Sequence, residues 1–228
     1  MKIGVLGTGI VGRSHAARLT ELGHEVTMGT RDVARSLAVS NSDTMGNPPL
    51  REWLDRNPQV RLGTFSEAAK HGDMVINAIN GQHAMEALKM AGEEHLQGKT
   101  IMDISNPLDF SKGMPPSLFI SNNDSLGEQV QKAYPKAKVV KTLNTVNAIL
   151  QVDPRKLLEG DHSAFVSGND AEAKNMVVQI LKGYGWKGII DLGDITTARG
   201  AEMVLPIWVR LFGILKTPMF NFKIVTEK

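Results

Sequence analysis

Short aliphatic runs recur along the chain, each ending in a polar or glycine-rich tip and each followed by a segment with helical spacing. The first run, residues 3–6, is broken only by Gly4, as suits a strand buried on both faces of a parallel sheet. A helix over residues 10–22 closes on Gly23, and residues 24–28 read as the second strand. Residues 60–63, 73–79, 99–104 and 138–143 supply further strands. Helices lie between them at 66–69, capped by Ser66, at 83–90 and at 125–133. Residues 40–49, rich in Ser, Asn, Gly and Pro, read as a surface loop, and residues 50–56 as a short helix.

A second αβ set follows, with a strand at 163–166, a helix at 171–181 and a strand at 188–192. Residues 196–215 then predict one long helix bent at Pro206, and 220–225 a final strand or tail. The alternation argues for an α/β fold built on a doubly wound parallel sheet, with a domain boundary near residues 147–154. Ligands of such sheets lie beyond the carboxyl ends of the strands, at the switch point. Three polar tips fall there: Asn80-Gly81-Gln82-His83, Ser105-Asn106-Pro107 and Asn144-Thr145-Val146-Asn147.

The tip of the first strand, Gly7-Thr8-Gly9-Ile10-Val11-Gly12, carries the strongest chemical signal. Gly7 permits the tight turn, Gly9 lets backbone approach a pyrophosphate, and Gly12 lets the helix pack closely on the sheet. The helix then presents free N–H groups and its positive dipole end to the phosphates. The second strand closes on Gly29-Thr30-Arg31, with Arg35 a helical turn further on. A hydroxyl and a guanidinium suit the 2′-phosphate of NADP, since Arg offers a planar fork of donors. Asp32 is either the ribose carboxylate of an NAD site, should the strand run one residue longer, or an N-terminal helix residue favoured by the dipole. The cations favour NADP.

The 228-residue chain has a net charge of +2 with its basic residues dispersed, which gives no nucleic-acid footprint. Its lack of cysteine excludes disulfides, thiol nucleophiles and thiolate metal sites. The six histidines show no ligand spacing, so a metal-free site is expected. The sequence opens directly on a strand, and its most apolar stretch, 203–215, is too short to span a bilayer; a cytoplasmic location with no membrane partner is the expectation. That stretch places Val204, Ile207, Leu211 and Leu215 at helical spacing, which favours core or dimer packing over cofactor contact.

No acid/base grouping announces itself, which leaves catalysis by positioning of reacting rings. Asn144, Thr145 and Asn147 either orient those rings or satisfy loop backbone, and His83 either contacts cofactor or caps a helix in solvent. Asp103 reads as structural.

The glycine hexad, Gly29-Thr30-Arg31, the Gln82-His83 turn, residues 139–145 and the 203–212 helix resemble the NADP oxidoreductases that use the deazaflavin coenzyme F420. Residues 103–107, the Asn144-Thr145 tip and Ser167-Gly168-Asn169-Asp170 are similar also to the cytosolic reductase domain of six-transmembrane ferric reductases. The resemblance implies a Rossmann domain over residues 1–150 and a small C-terminal αβ/helical domain over 151–228. It also implies a homodimer and hydride exchange between NADPH and F420 or a flavin, FAD or FMN. By position, Thr8, Gly9, Ile10 and Val11 would meet the pyrophosphate, and Thr30, Arg31 and Arg35 the 2′-phosphate. Ile79, His83, Asn106 and Ala148 would lie along the nicotinamide half. Asn144 and Asn147 stand where the deazaflavin enzymes carry His and Pro, and Asn80 where they carry Pro; these departures fall beside the ring of the small-molecule redox partner and not at the NADP phosphates. Reduction of a small carbonyl or imine, or NADPH sensing without turnover, are the alternative readings.

Overall fold

The computed structural model describes residues 1–43 and 46–227. The first half alternates strand and helix: β1 Lys2–Leu6, α1 Ile10–Glu21, β2 Glu25–Thr30, α2 Val33–Ala38, α3 Leu50–Asp55 and β3 Arg61–Thr64. Next come α4 Phe65–His71, β4 Met74–Asn77, α5 Gly81–Ala91, α6 Glu93–Leu96 and β5 Thr100–Asp103. A small hairpin, β6 Leu108–Asp109 and β7 Ser117–Leu118, precedes α7 Leu126–Ala133, β8 Lys138–Thr142 and α8 Ala148–Val152. The chain ends with β9 Ser163–Gly168, α9 Ala171–Tyr184, β10 Gly188–Gly193, α10 Ala198–Met203 and α11 Leu205–Leu215.

Among the described residues one eight-stranded sheet runs in the order β10-β9-β8-β5-β4-β1-β2-β3. Its strands are parallel except at β8–β9, where the pairing is antiparallel. The chain moves outward from β1 to β3, then returns past β1 to β4, so the order reverses between β1 and β4, and ligands of such sheets lie beyond the carboxyl ends of the strands at this reversal. Residues 163–193 add β9 and β10 to the edge of this same sheet, and α9 packs into the core that β1 shares.

Successive side chains of a strand point to opposite faces, so each aliphatic run fills two cores. Ile3, Val5, Met74, Ile76, Met102 and Val140 line one face. Leu6, Val75, Ile101 and Val139 line the other. This is why the runs read as continuously apolar and not as alternating.

Several boundaries differ from the sequence reading. Helix α4 starts one residue earlier, on Phe65, and its cap is Thr64 and not Ser66: Thr64 Oγ1 accepts from the Glu67 amide, and Glu67 returns a carboxylate to the Thr64 N–H at 2.7 Å. Strand β2 runs two residues further than expected, to Thr30. The expected long C-terminal helix is two helices broken at Val204, with Pro206 in the first turn of α11. Proline has no N–H and its ring collides with the carbonyl four residues back, so it starts a helix more readily than it continues one. Leu205 and Val209 are the α11 residues that enter the core. Of the expected stripe, read as core or dimer packing, Ile207 is 55% and Leu215 50% exposed, so these two do not pack in the core. Residues 220–225 form no strand, although the Ser163 amide donates to the Phe222 carbonyl at 2.9 Å. Of the expected loop, Thr44 and Met45 lie outside the described residues.

Candidate functional site

The polar tips meet along the carboxyl edge of the sheet. Gly7 turns the chain out of β1 at φ +114°, and its N–H donates to the Gly29 carbonyl at 3.0 Å, which joins the tips of β1 and β2. On the other side Gly7 abuts the next tip: a Cβ on it would lie 2.8 Å from the Ala78 carbonyl and 3.2 Å from Ile79 Cδ1. Gly81 then packs on the tip after β5, where a Cβ would come within 1.9 Å of the Asn106 carbonyl oxygen. Asn106 closes the row by donating its side-chain N–H to the Asn144 carbonyl at 3.0 Å.

Helix α1 begins at this edge on Gly9, without a side-chain cap and without an acidic residue in its first turn. Its first amides therefore keep their donors for something outside the helix. A Cβ on Gly9 would meet nothing within 4 Å, so the space above the turn is open. Gly12 is the reverse case: its Cβ would lie 2.0 Å from the Gly7 carbonyl oxygen, which makes glycine obligatory where the helix crosses the turn. Arg13, which the sequence reading missed, braces the turn by donating to the Thr8 carbonyl at 2.7 Å and to Pro48 at 2.6 Å.

At the tip of β2, Thr30 is buried and its hydroxyl shares a 2.7 Å hydrogen bond with Ser36 of α2. Arg31 and Arg35 are exposed, and among the described residues Arg31 reaches only Glu86 of α5, at 3.4 Å. With both partners more than half exposed, that pair holds Arg31 weakly. Asp32 accepts the Arg35 backbone N–H at 2.9 Å as the N-cap of α2, which is the second of its two sequence readings.

At the far end of the row, Asn80 caps α5 and His83 stands exposed in the first turn of that helix. Asn144 is buried and donates to the Ala201 carbonyl at 3.1 Å. Asn147 caps α8 through the Ile149 and Leu150 amides and donates to the Pro218 carbonyl. Thr145 is also buried, and Ala148 opens α8. The Asn147 side chain and the side-chain N–H of Asn144 are thus engaged by protein backbone. Asn106 differs: its Oδ1 is buried and has no hydrogen-bond partner among the described residues, an arrangement that costs free energy unless a donor arrives.

Two buried polar networks underlie the row. His15 of α1 bonds Tyr184 of α9 at 2.9 Å and Gln151 of α8 at 3.1 Å, and Gln151 in turn donates to the Leu143 and Val146 carbonyls. Burial pushes His15 down to about 4 against the weaker effect of its Gln151 bond, so its ring is neutral. Burial likewise raises the Tyr184 phenol. Lys141 of β8 lies between Asp103 of β5 and Glu202 of α10, at 2.9 and 2.8 Å, with all three side chains at most 2% exposed. Burial opposes its charge, and the two carboxylates outweigh burial, so the Lys141 ammonium is held above its usual range. Among the described residues no group of three or more His, Asp or Glu side chains is arranged to hold a metal, and no helix is long and apolar enough to cross a membrane.

Residues 2–107 match the family model described as NADP oxidoreductase, coenzyme F420-dependent. A crystal structure from Arthrobacter sp. FB24, provisionally described as an F420-dependent NADP reductase, is 56% identical, with a TM-score of 0.94 over 99% of this chain and 100% of that one. The chain belongs to this family. As a member of the F420-dependent NADP oxidoreductases it is also 31% identical over 147 residues to the F420-dependent NADP reductase of Methanocaldococcus jannaschii, covering 64% of each chain. It is 27% identical over 213 residues to the metalloreductase STEAP3 of Rattus norvegicus, which is 91% of this chain. It spans only 38% of that metalloreductase's length.

Proposed function

We propose that the protein is an NADP-dependent oxidoreductase that transfers a hydride between NADPH and F420 or a flavin. The observation that carries this is the pairing of an uncapped, open glycine turn at α1 with a weakly held arginine one residue beyond β2.

Residues at these tips would serve each part of the dinucleotide. The first-turn amides of α1, from Ile10 to Gly12, would donate to the pyrophosphate over the open face of Gly9. Arg31, released from Glu86, would pair with the 2′-phosphate, with Thr30 and Arg35 beside it. The orphaned Asn106 Oδ1 would accept from the nicotinamide carboxamide, between Ile79 and His83 on one side and Ala148 on the other. When bound, NADPH supplies the hydride. The chain's part is to align the donor ring against the acceptor ring and to exclude water, for which no proton shuttle is required. The apolar face of α11, with Ile207, Phe212, Ile214 and Leu215 exposed, is where a second copy would pack in a homodimer.

The test is NADPH oxidation by the purified chain with F420, FMN, FAD or ferric chelates as acceptor, followed at the nicotinamide absorbance. Turnover with F420 or a flavin is the expected result. Activity confined to small carbonyl or imine substrates, or tight NADPH binding without oxidation by any acceptor, would overturn the reading.

A further inference from the structure

The charged cluster beneath the tips has no role in nucleotide binding or hydride transfer as described so far. Lys141 spends all three of its ammonium hydrogens: on Asp103 Oδ2 at 2.9 Å, on Glu202 Oε1 at 2.8 Å and on the Ser105 carbonyl at 2.5 Å. Asp103 Oδ1 accepts from Asn77 at 2.8 Å, from the Ser105 hydroxyl at 2.7 Å and from the Ser105 amide at 3.2 Å. Glu202 accepts the Leu126 and Gly127 amides at the start of α7, at 2.8 and 3.1 Å. Four elements, β4, β5, β8 and α7, are thereby tied to α10. The neighbouring residue of α10, Ala201, receives the Asn144 side chain, so the tip after β8 is fastened to the same helix.

Sealing three charges from water is costly, and an apolar cluster of equal volume would serve stability as well or better. What the ions supply here is direction. The contacts to Ser105 arrive at its carbonyl, its amide and its hydroxyl, which leaves that residue no freedom to turn. The next residue is Asn106, whose buried acceptor is left unmatched among the described residues.

We propose that the Lys141–Asp103 pair positions the nicotinamide end of the bound cofactor: by clamping Ser105 between them, the two residues aim Asn106 Oδ1 at the ring carboxamide. This inference rests on the NADP reading above. It assigns the cluster to one end of the dinucleotide only, because the adenosine phosphate site at β2 shares no residue with it.

The experiment is titration of the full chain with NADPH and with 2′,5′-ADP, which carries the adenosine half alone, alongside a thermal melt of each variant. Wild type binds NADPH more tightly than 2′,5′-ADP. In Lys141→Met the NADPH affinity falls about tenfold, the equivalent of one lost hydrogen bond, while 2′,5′-ADP binding stays within about twofold. Lys141→Met also leaves two carboxylates unpaired in the core; if it does not fold, Ser105→Ala, which removes only the hydroxyl bond to Asp103, carries the test with a loss of about threefold for NADPH alone. Equal weakening of both ligands in a folded variant, or no change for NADPH, would overturn the proposal. Wild type that binds neither ligand would instead refute the NADP reading, and this inference with it.

Discussion

Replacing His15 with glutamine should flatten the acid side of the stability curve, because the ring is buried among groups that offer it no counter-charge. Gln151 fixes the tautomer: its side-chain amide donates to the Leu143 and Val146 carbonyls, so Oε1 can only accept, and it accepts from His15 Nε2. Nδ1 is then the acceptor of the Tyr184 hydroxyl, and a second ring proton has no place to go. Burial accordingly lowers His15 from 6.5 to about 4. A depressed histidine means that the unfolded chain binds the extra proton first, so stability is lost as pH falls from about 6.5 toward about 4 and is fully present above that window. Near pH 5.5 unfolding takes up almost one proton, a slope of about 1 kcal/mol per pH unit, and between pH 7 and pH 5 the loss is about 2 kcal/mol. Urea unfolding at a series of pH values measures this directly. His15→Gln should be less stable than wild type at pH 7 for want of its hydrogen bonds, yet lose about 2 kcal/mol less on going to pH 5. Parallel curves for the two proteins would refute the assignment of a neutral, uncompensated His15.

The two glycines of the turn should separate folding from binding. Gly12→Ala drives a methyl to 2.0 Å from the Gly7 carbonyl oxygen and should cost about 1–3 kcal/mol in stability together with NADPH binding, both read from melts with and without cofactor. Gly9→Ala meets open space, so its melting temperature should match wild type while NADPH affinity falls at least about tenfold; an unfolded Gly9→Ala protein would contradict the geometry. Thr64→Ala breaks the capping box of α4 and should destabilise the chain by about 1 kcal/mol in chemical denaturation, with no effect on nucleotide affinity.

What the sequence made legible was local. The glycine hexad, the aliphatic strands and the polar tips each announce themselves within a few residues, and their order implies the sheet and its ligand edge. The box at Thr64 and Glu67 was also there to be read, since a hydroxyl three residues before a glutamate is its signature; Ser66, inside the first turn, drew the cap to the wrong residue. Pro206 signalled a bend, but whether the helix continues through it depends on packing, and here Leu205 and Val209 restart a helix in the core. Other features depend on partners far along the chain. Lys141 sits in an apolar strand with nothing nearby to mark it, and Asp103, its counter-ion, is 38 residues away. Asn144 donates to the carbonyl of Ala201, 57 residues on, a contact that no local pattern signals. His15 counted only among six histidines without ligand spacing, because its partners Gln151 and Tyr184 lie far along the chain.

In the proposed site the cation at the tip of β2 receives the 2′-phosphate of NADP. Isothermal titration of wild type and Arg31→Ala with NADPH and with NADH measures it most directly. Loss of a charge-assisted contact should weaken NADPH by about tenfold to a hundredfold and leave NADH nearly unchanged. An equal loss for both nucleotides, or none for either, would show that the adenosine end lies elsewhere.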